Sequence, residues 1–223
     1  MDTKLEAEVK FYTNAVEEIF TVYPNIIRYL CGIGEDDWKN YSVVWDDYRE
    51  NHQNIKLCYG ASKIVLIGEN CEYVCKMPRY GDECGREVEI YRYAVKDQLA
   101  KFFAPCMKMG ECHGMPLYLM KKMDSGVDAM DYTSKSISYY NYDEFELIWE
   151  AIRINWEDDC KKLEHFLNFY NLNDIHVEKI GYDSEGHIVI FDYSGYGGRN
   201  RSSSEYKKNI WFEREENTNE YYV

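Results

Sequence analysis

Two aspartates frame the stretch with the most explicit chemistry, Asn173 to Gly195, which reads NDIHVEKIGYDSEGHIVIFDYSG. Asp174 sits in a polar turn, and Asp192 closes the apolar run His187-Ile188-Val189-Ile190-Phe191. Between them, Ile180-Gly181-Tyr182 reads as an outgoing strand and Asp183-Ser184-Glu185-Gly186 as a reversal. Asp, Ser and Gly relieve a tight turn, and the return run is rich in β-branched residues. Such a hairpin is expected to carry Asp174 and Asp192, remote in sequence, to one end of a small sheet. Two carboxylates converging beside an apolar slot suit a metal–phosphate site, where one orients a hydroxyl and the other holds Mg²⁺.

This stretch resembles the catalytic loop and metal-binding segment of the protein-kinase-like fold, where H-R-D-L-x-x-x-N is followed by a hairpin and D-F-G. Asp174-Ile175-His176 stands at the Asp-Leu position and Asp192-Tyr193-Ser194 at D-F-G. The short bacterial and phage kinase-like proteins, whose loops read D-L-H, are nearer than the eukaryotic kinases. The resemblance implies ATP and Mg²⁺ as cofactors, Asp174 as the catalytic residue that positions an acceptor hydroxyl, and Asp192 as the metal ligand. It breaks at Lys179, five residues after Asp174, where the family has its second metal-binding Asn.

The elements that must position these groups precede them. Lys56–Tyr59, Lys63–Ile67 and Cys71–Pro78 read as strands joined by turns at Gly60-Ala61-Ser62 and Gly68-Glu69-Asn70. By the resemblance, Tyr73-Val74-Cys75-Lys76 fills the V-A-I-K role, with Lys76 reaching the nucleotide phosphates. The phosphate-covering loop has one glycine, Gly60, where the family has three, and Ser62 is the hydrogen-bond donor it offers. Residues 83–100 read as a helix whose Glu87, or in its place Glu89, would pair with Lys76. Two further strands, Cys106–Met109 and Met115–Met120, would complete the sheet, with Met120, Lys121 and Lys122 at a hinge lining an adenine slot.

Residues 4–23 place Leu5, Val9, Tyr12, Val16, Ile19, Phe20 and Tyr23 mostly at three- and four-residue steps, an amphipathic helix closed by Pro24. Through residue 54 the chain reads as an N-terminal helical extension, either a packing element or a surface for a partner. Residues 55–123 read as a small sheet lobe with one helix. Residues 124–223 read as a reduced helical lobe: a polar loop over 124–142, one or two helices over 143–170, the Asp174 loop and hairpin, and a charged tail. The fold expected is therefore α+β and kinase-like, a small antiparallel-sheet lobe with a truncated helical lobe. No segment resembling A-P-E follows Asp192, which argues against a protein-substrate kinase.

The chain has 223 residues, with 26 Lys plus Arg against 40 Asp plus Glu, a formal net charge of −14. Such a surface repels nucleic-acid phosphates and anionic membranes, and it either suits a basic protein partner or serves solubility alone, the commoner case. The eight cysteines include no C-x-x-C pair, and no histidine stands near them at the usual zinc-ligand spacing. The acidic N-terminus is unlike a signal peptide, and no apolar run approaches a membrane span. Reduced thiols in a cytoplasmic protein follow as the expectation. Two functional readings stand: a small ATP- and Mg²⁺-dependent phosphotransferase, and a non-catalytic binding or inhibitory module favoured by Lys179 and the missing glycines. A nucleotide-binding sensor lies between them.

Overall fold

The computed structural model describes residues 3–24, 26, 47–59, 62–79, 83–125, 159–172, 175, 179–183, 185 and 187–194. Over these residues the protein is α+β. They divide into two compact units, one formed by those up to Gly85 with Met107–Met120, the other by Arg86–Cys106 and those from Lys121 to Ser194.

The first unit is a helix on a sheet. Helix α1, Thr3–Val22, buries Tyr12, Val16 and Ile19, as its three- and four-residue apolar spacing requires. Strands β1 (Ile55–Tyr59), β2 (Lys63–Gly68), β3 (Tyr73–Pro78), β4 (Cys106–Cys112) and β5 (Met115–Lys121) form an antiparallel sheet in the order β1-β2-β3-β5-β4. The register aligns Leu57 with Leu66 and Leu66 with Cys75, so a row of buried apolar side chains crosses three strands. With Ile64, Met77, Leu117 and Leu119 these residues form one core with Tyr12, Val16 and Ile19. Fully burying a side chain of this size stabilises by about 1.5–3 kcal/mol, so α1 is integral to this unit.

Polar contacts fix where α1 sits. The Tyr12 hydroxyl accepts from the Gly68 backbone N–H at 2.9 Å and donates to the Tyr73 carbonyl at 2.6 Å. The buried Glu8 carboxylate accepts from the backbone N–H groups of Glu72 and Tyr73 at 2.9 and 3.0 Å. The β2–β3 turn is thus satisfied by helix side chains. Gly68 is required by the close approach, because a Cβ there would lie 2.5 Å from Cys71 Sγ and 3.0 Å from Phe11 Cε1.

The second unit contains most of α2 (Glu83–Lys96), a 3₁₀ turn at Ala100–Phe102, helix over residues 159–169, and a small sheet. Its strands β6 (Asp124–Ser125), β7 (Ile180–Tyr182) and β8 (Ile188–Ile190) lie in that order. The expectation of continuous helix over 83–100 is corrected at its end. Gln98 adopts φ 63°, its N–H bonds to the Val95 carbonyl, and the Leu99 N–H reaches back to Ala94 at 2.7 Å. That is a Schellman ending, and it is repeated at Asn171 (φ 55°), where the Leu172 N–H reaches Leu167 at 2.8 Å. The expectation of loop from residue 124 is corrected too: Asp124 pairs with Tyr182 and Ser125 with Gly181. Phe103 packs on Phe166 and edge-on against Tyr193, and Arg86 donates to the Tyr170 carbonyl at 2.9 Å. Among the described residues no helix is long and apolar enough to cross a membrane.

Candidate functional site

The β7–β8 hairpin forms where the turn residues placed it. Asp183 accepts from the backbone N–H groups of Glu185 and His187, both at 2.9 Å, and its own N–H donates to the His187 carbonyl. Partial burial would raise the Asp183 pKa, but these donors and the His187 ring outweigh it and hold the carboxyl below its ordinary value. The strands pair Ile180 with Ile190, and the Phe191 N–H extends the ladder to the Lys179 carbonyl at 2.8 Å. Lys179 and Asp192 therefore stand side by side at the open end of the hairpin. The Lys179 Nζ lies 3.8 Å from Asp192 Oδ2, with the Lys179 side chain only 14% exposed.

Beyond β8 the chain turns sharply. Asp192 takes φ 60°, a left-handed conformation that Asp tolerates better than most residues. The turn delivers Tyr193 to the interior, where its hydroxyl donates to the Ala104 carbonyl at 2.7 Å and its ring meets Phe103. The Ala104 N–H donates in turn to the Ile190 carbonyl, so both sides of this crossing are bonded. Burial first, then the negative character of Cys106, Glu87 and Tyr91, pushes the Tyr193 phenol far above its ordinary range. Glu87 is fully buried on α2, whereas Glu89 is exposed. Helix phase thus turns Glu87 inward and Glu89 to solvent.

The other candidate residues lie on separate elements. Lys76 is buried on β3 opposite Val65, Met120 is buried on β5, and the Ser62 carbonyl at the start of β2 accepts from the Arg79 N–H at 2.8 Å. All three belong to the first unit, while Glu87, Lys179 and Asp192 belong to the second. Asp174, Gly60 and Ala61 lie outside the described residues.

The hairpin end fits Mg²⁺ poorly. That ion binds carboxylate oxygen at about 2.1 Å in a strict octahedron. An ammonium 3.8 Å from the only carboxylate singled out as its ligand there already supplies a positive charge. Charges of +2 and +1 about 5 Å apart repel by roughly 7 kcal/mol at an effective dielectric of about 20, before Lys179 swings away. What the pair does instead is neutralise Asp192 internally.

A second constellation joins residues remote in the sequence. Glu17, on α1, meets Cys112 and His113 of the β4–β5 turn, with carboxylate contacts of 3.2 Å to Cys112 Sγ and 3.1 Å to His113 Nε2. Spacing along the chain pointed away from a cysteine–histidine site, because the third member lies 95 residues from Cys112. The adjacency of Cys112 and His113 in a Gly-containing turn was the one available signal. The seven cysteines among the described residues are all free thiols. No protein-family model matches the chain, and no curated protein matches it.

Proposed function

We propose that this chain is a kinase-like-fold protein that binds a protein partner without transferring phosphate, a binding or inhibitory module. The observation that carries the reading is the Lys179 ammonium set against the Asp192 carboxylate, at the position where the family places a metal-binding Asn. The order of elements supports the kinase-like part: a five-stranded sheet bearing Lys76, a helix bearing buried Glu87, and a hairpin ending in Asp192. A net charge of −14 supports a basic partner surface. No Mg²⁺-dependent step is assigned to the chain.

The test is calorimetric titration of the protein with ATP, with and without Mg²⁺. Absence of Mg²⁺-dependent binding at millimolar nucleotide is the expected result. Tight binding that requires Mg²⁺ and vanishes in Asp192→Ala would replace this reading with a phosphotransferase. Mg²⁺-independent binding would make the chain a nucleotide sensor in which Lys179 supplies the metal's charge.

A further inference from the structure

The β4–β5 connection is a two-residue turn, His113-Gly114, with φ of 49° and 75°. Positive φ at both central positions is the type I′ geometry that matches strand twist. It projects the His113 ring back toward α1, where it stacks on Phe20 with centroids 4.9 Å apart and planes inclined by 22°. Glu17 lies one helical turn before Phe20. Its two carboxylate oxygens face the buried Cys112 sulfur at 3.2 Å and His113 Nε2 at 3.1 Å. One donor atom from each of the three residues lies within 4.8 Å of the other two.

We infer that Glu17, Cys112 and His113 form a zinc site with one open coordination position, clamping α1 to the β4–β5 hairpin. The donor set is one sulfur, one imidazole nitrogen and one carboxylate oxygen, a combination that favours Zn²⁺ over Mg²⁺ or Ca²⁺. Zinc bonds of about 2.0–2.3 Å at tetrahedral angles put neighbouring donors roughly 3.3–3.6 Å apart. One Glu17 oxygen lies 3.1 Å from the imidazole nitrogen and the other 3.2 Å from the sulfur, and one donor atom of each residue lies within 4.8 Å of the other two, so small side-chain rotations bring one oxygen, the nitrogen and the sulfur to that spacing. Phe20 fixes the ring plane, and the buried strand end fixes the sulfur, so two of the three donors are already oriented. In the metal-free cluster the thiol donates to Glu17; on coordination the Cys112 proton leaves to solvent, and the thiolate, neutral imidazole and carboxylate bind the ion. Three protein ligands leave the fourth position to water or to a group from another molecule.

The site does not depend on the kinase-like reading. It is tested by titrating the full chain, under reducing conditions, with Co²⁺ alone and then with Zn²⁺ as competitor. One equivalent of Co²⁺ is expected to give a near-ultraviolet sulfur-to-metal charge-transfer band that Zn²⁺ abolishes. Cys112→Ser should remove the band. Glu17→Gln and His113→Asn, both at exposed positions and checked for native circular dichroism, should weaken binding by roughly 100-fold or more, beyond the loss typical of second-shell changes. Absence of the band in the native chain would overturn the assignment. So would a band of full strength in either Glu17→Gln or His113→Asn, which would place the metal on other cysteines.

Discussion

Lys179 holds its ammonium 3.8 Å from the carboxylate of Asp192, at the open end of one hairpin where Lys179 accepts the last backbone hydrogen bond and Asp192 follows its donor. Register and turn act together: Lys179 accepts from Phe191 at the last rung, and Asp192, the next residue, leaves the strand at φ 60° with its carboxylate near Lys179. The same turn sends Tyr193 inward to bond Ala104, which fixes the backbone that carries Asp192. The charge balance of the hairpin end is therefore determined by the fold as well as by residue choice.

Two buried tyrosines should respond oppositely to loss of the hydroxyl. Tyr12 bonds Gly68 and Tyr73, so Tyr12→Phe leaves a buried donor and acceptor of the β2–β3 turn unmet and should cost about 1–3 kcal/mol. Among the described residues the buried Tyr48 hydroxyl has no hydrogen-bond partner, while its ring stacks on His52 at 4.3 Å. Tyr48→Phe keeps the stack and removes the unmet hydroxyl, so stability should hold or rise by up to about 1 kcal/mol. Urea denaturation of both variants checks the pair, and equal losses would contradict the assignment.

The α2 ending offers a stabilising change. Gln98 holds φ 63°, which disfavours any residue with a Cβ by about 1–2 kcal/mol. Glycine removes that strain but adds unfolded-state freedom worth roughly 0.4–1 kcal/mol. Gln98→Gly should thus raise stability by about 0.5–1 kcal/mol, and Gln98→Val should lower it. Thermal unfolding of the three proteins gives the order directly.

Alkaline pH should unfold the protein through its buried phenols and thiols. Burial raises the pKa of Tyr12, Tyr48, Tyr193 and Cys75 above their unfolded values. A raised pKa gives stability that is complete below the unfolded pKa and is lost as the unfolded chain releases protons. The losses begin near pH 8.5 for Cys75 and near pH 10 for the tyrosines. The urea midpoint should fall from pH 8 to 11, more steeply above 10, and Tyr12→Phe should flatten that upper slope. A level profile would contradict the burial of these groups.

The sheet of the first unit was legible because its strands alternate or run apolar between Gly- and Asn-containing turns, and local chemistry settles such elements. The hairpin at Asp183 was legible for the same reason. The end of α2 was not, since Gln98 in a left-handed conformation carries no glycine to announce it. The role of α1 was hidden because Tyr12 meets partners 56 and 61 residues away. Glu87 and Glu89 could be separated only by helix phase, which the fold supplies. Lys179 was visible as a departure from the kinase-like pattern, but its proximity to Asp192 depends on strand register.

If Lys179 keeps Mg²⁺ from Asp192, removing its charge should admit the metal. The direct measurement is Mg²⁺ titration in the presence of ATP for the native chain, Lys179→Asn and the double variant Lys179→Asn/Asp192→Ala. Lys179→Asn should gain at least a roughly tenfold higher apparent Mg²⁺ affinity, about 1.4 kcal/mol, and the double variant should lose it again. Native protein that already binds Mg²⁺ through Asp192, with no gain in Lys179→Asn, would contradict this role of Lys179.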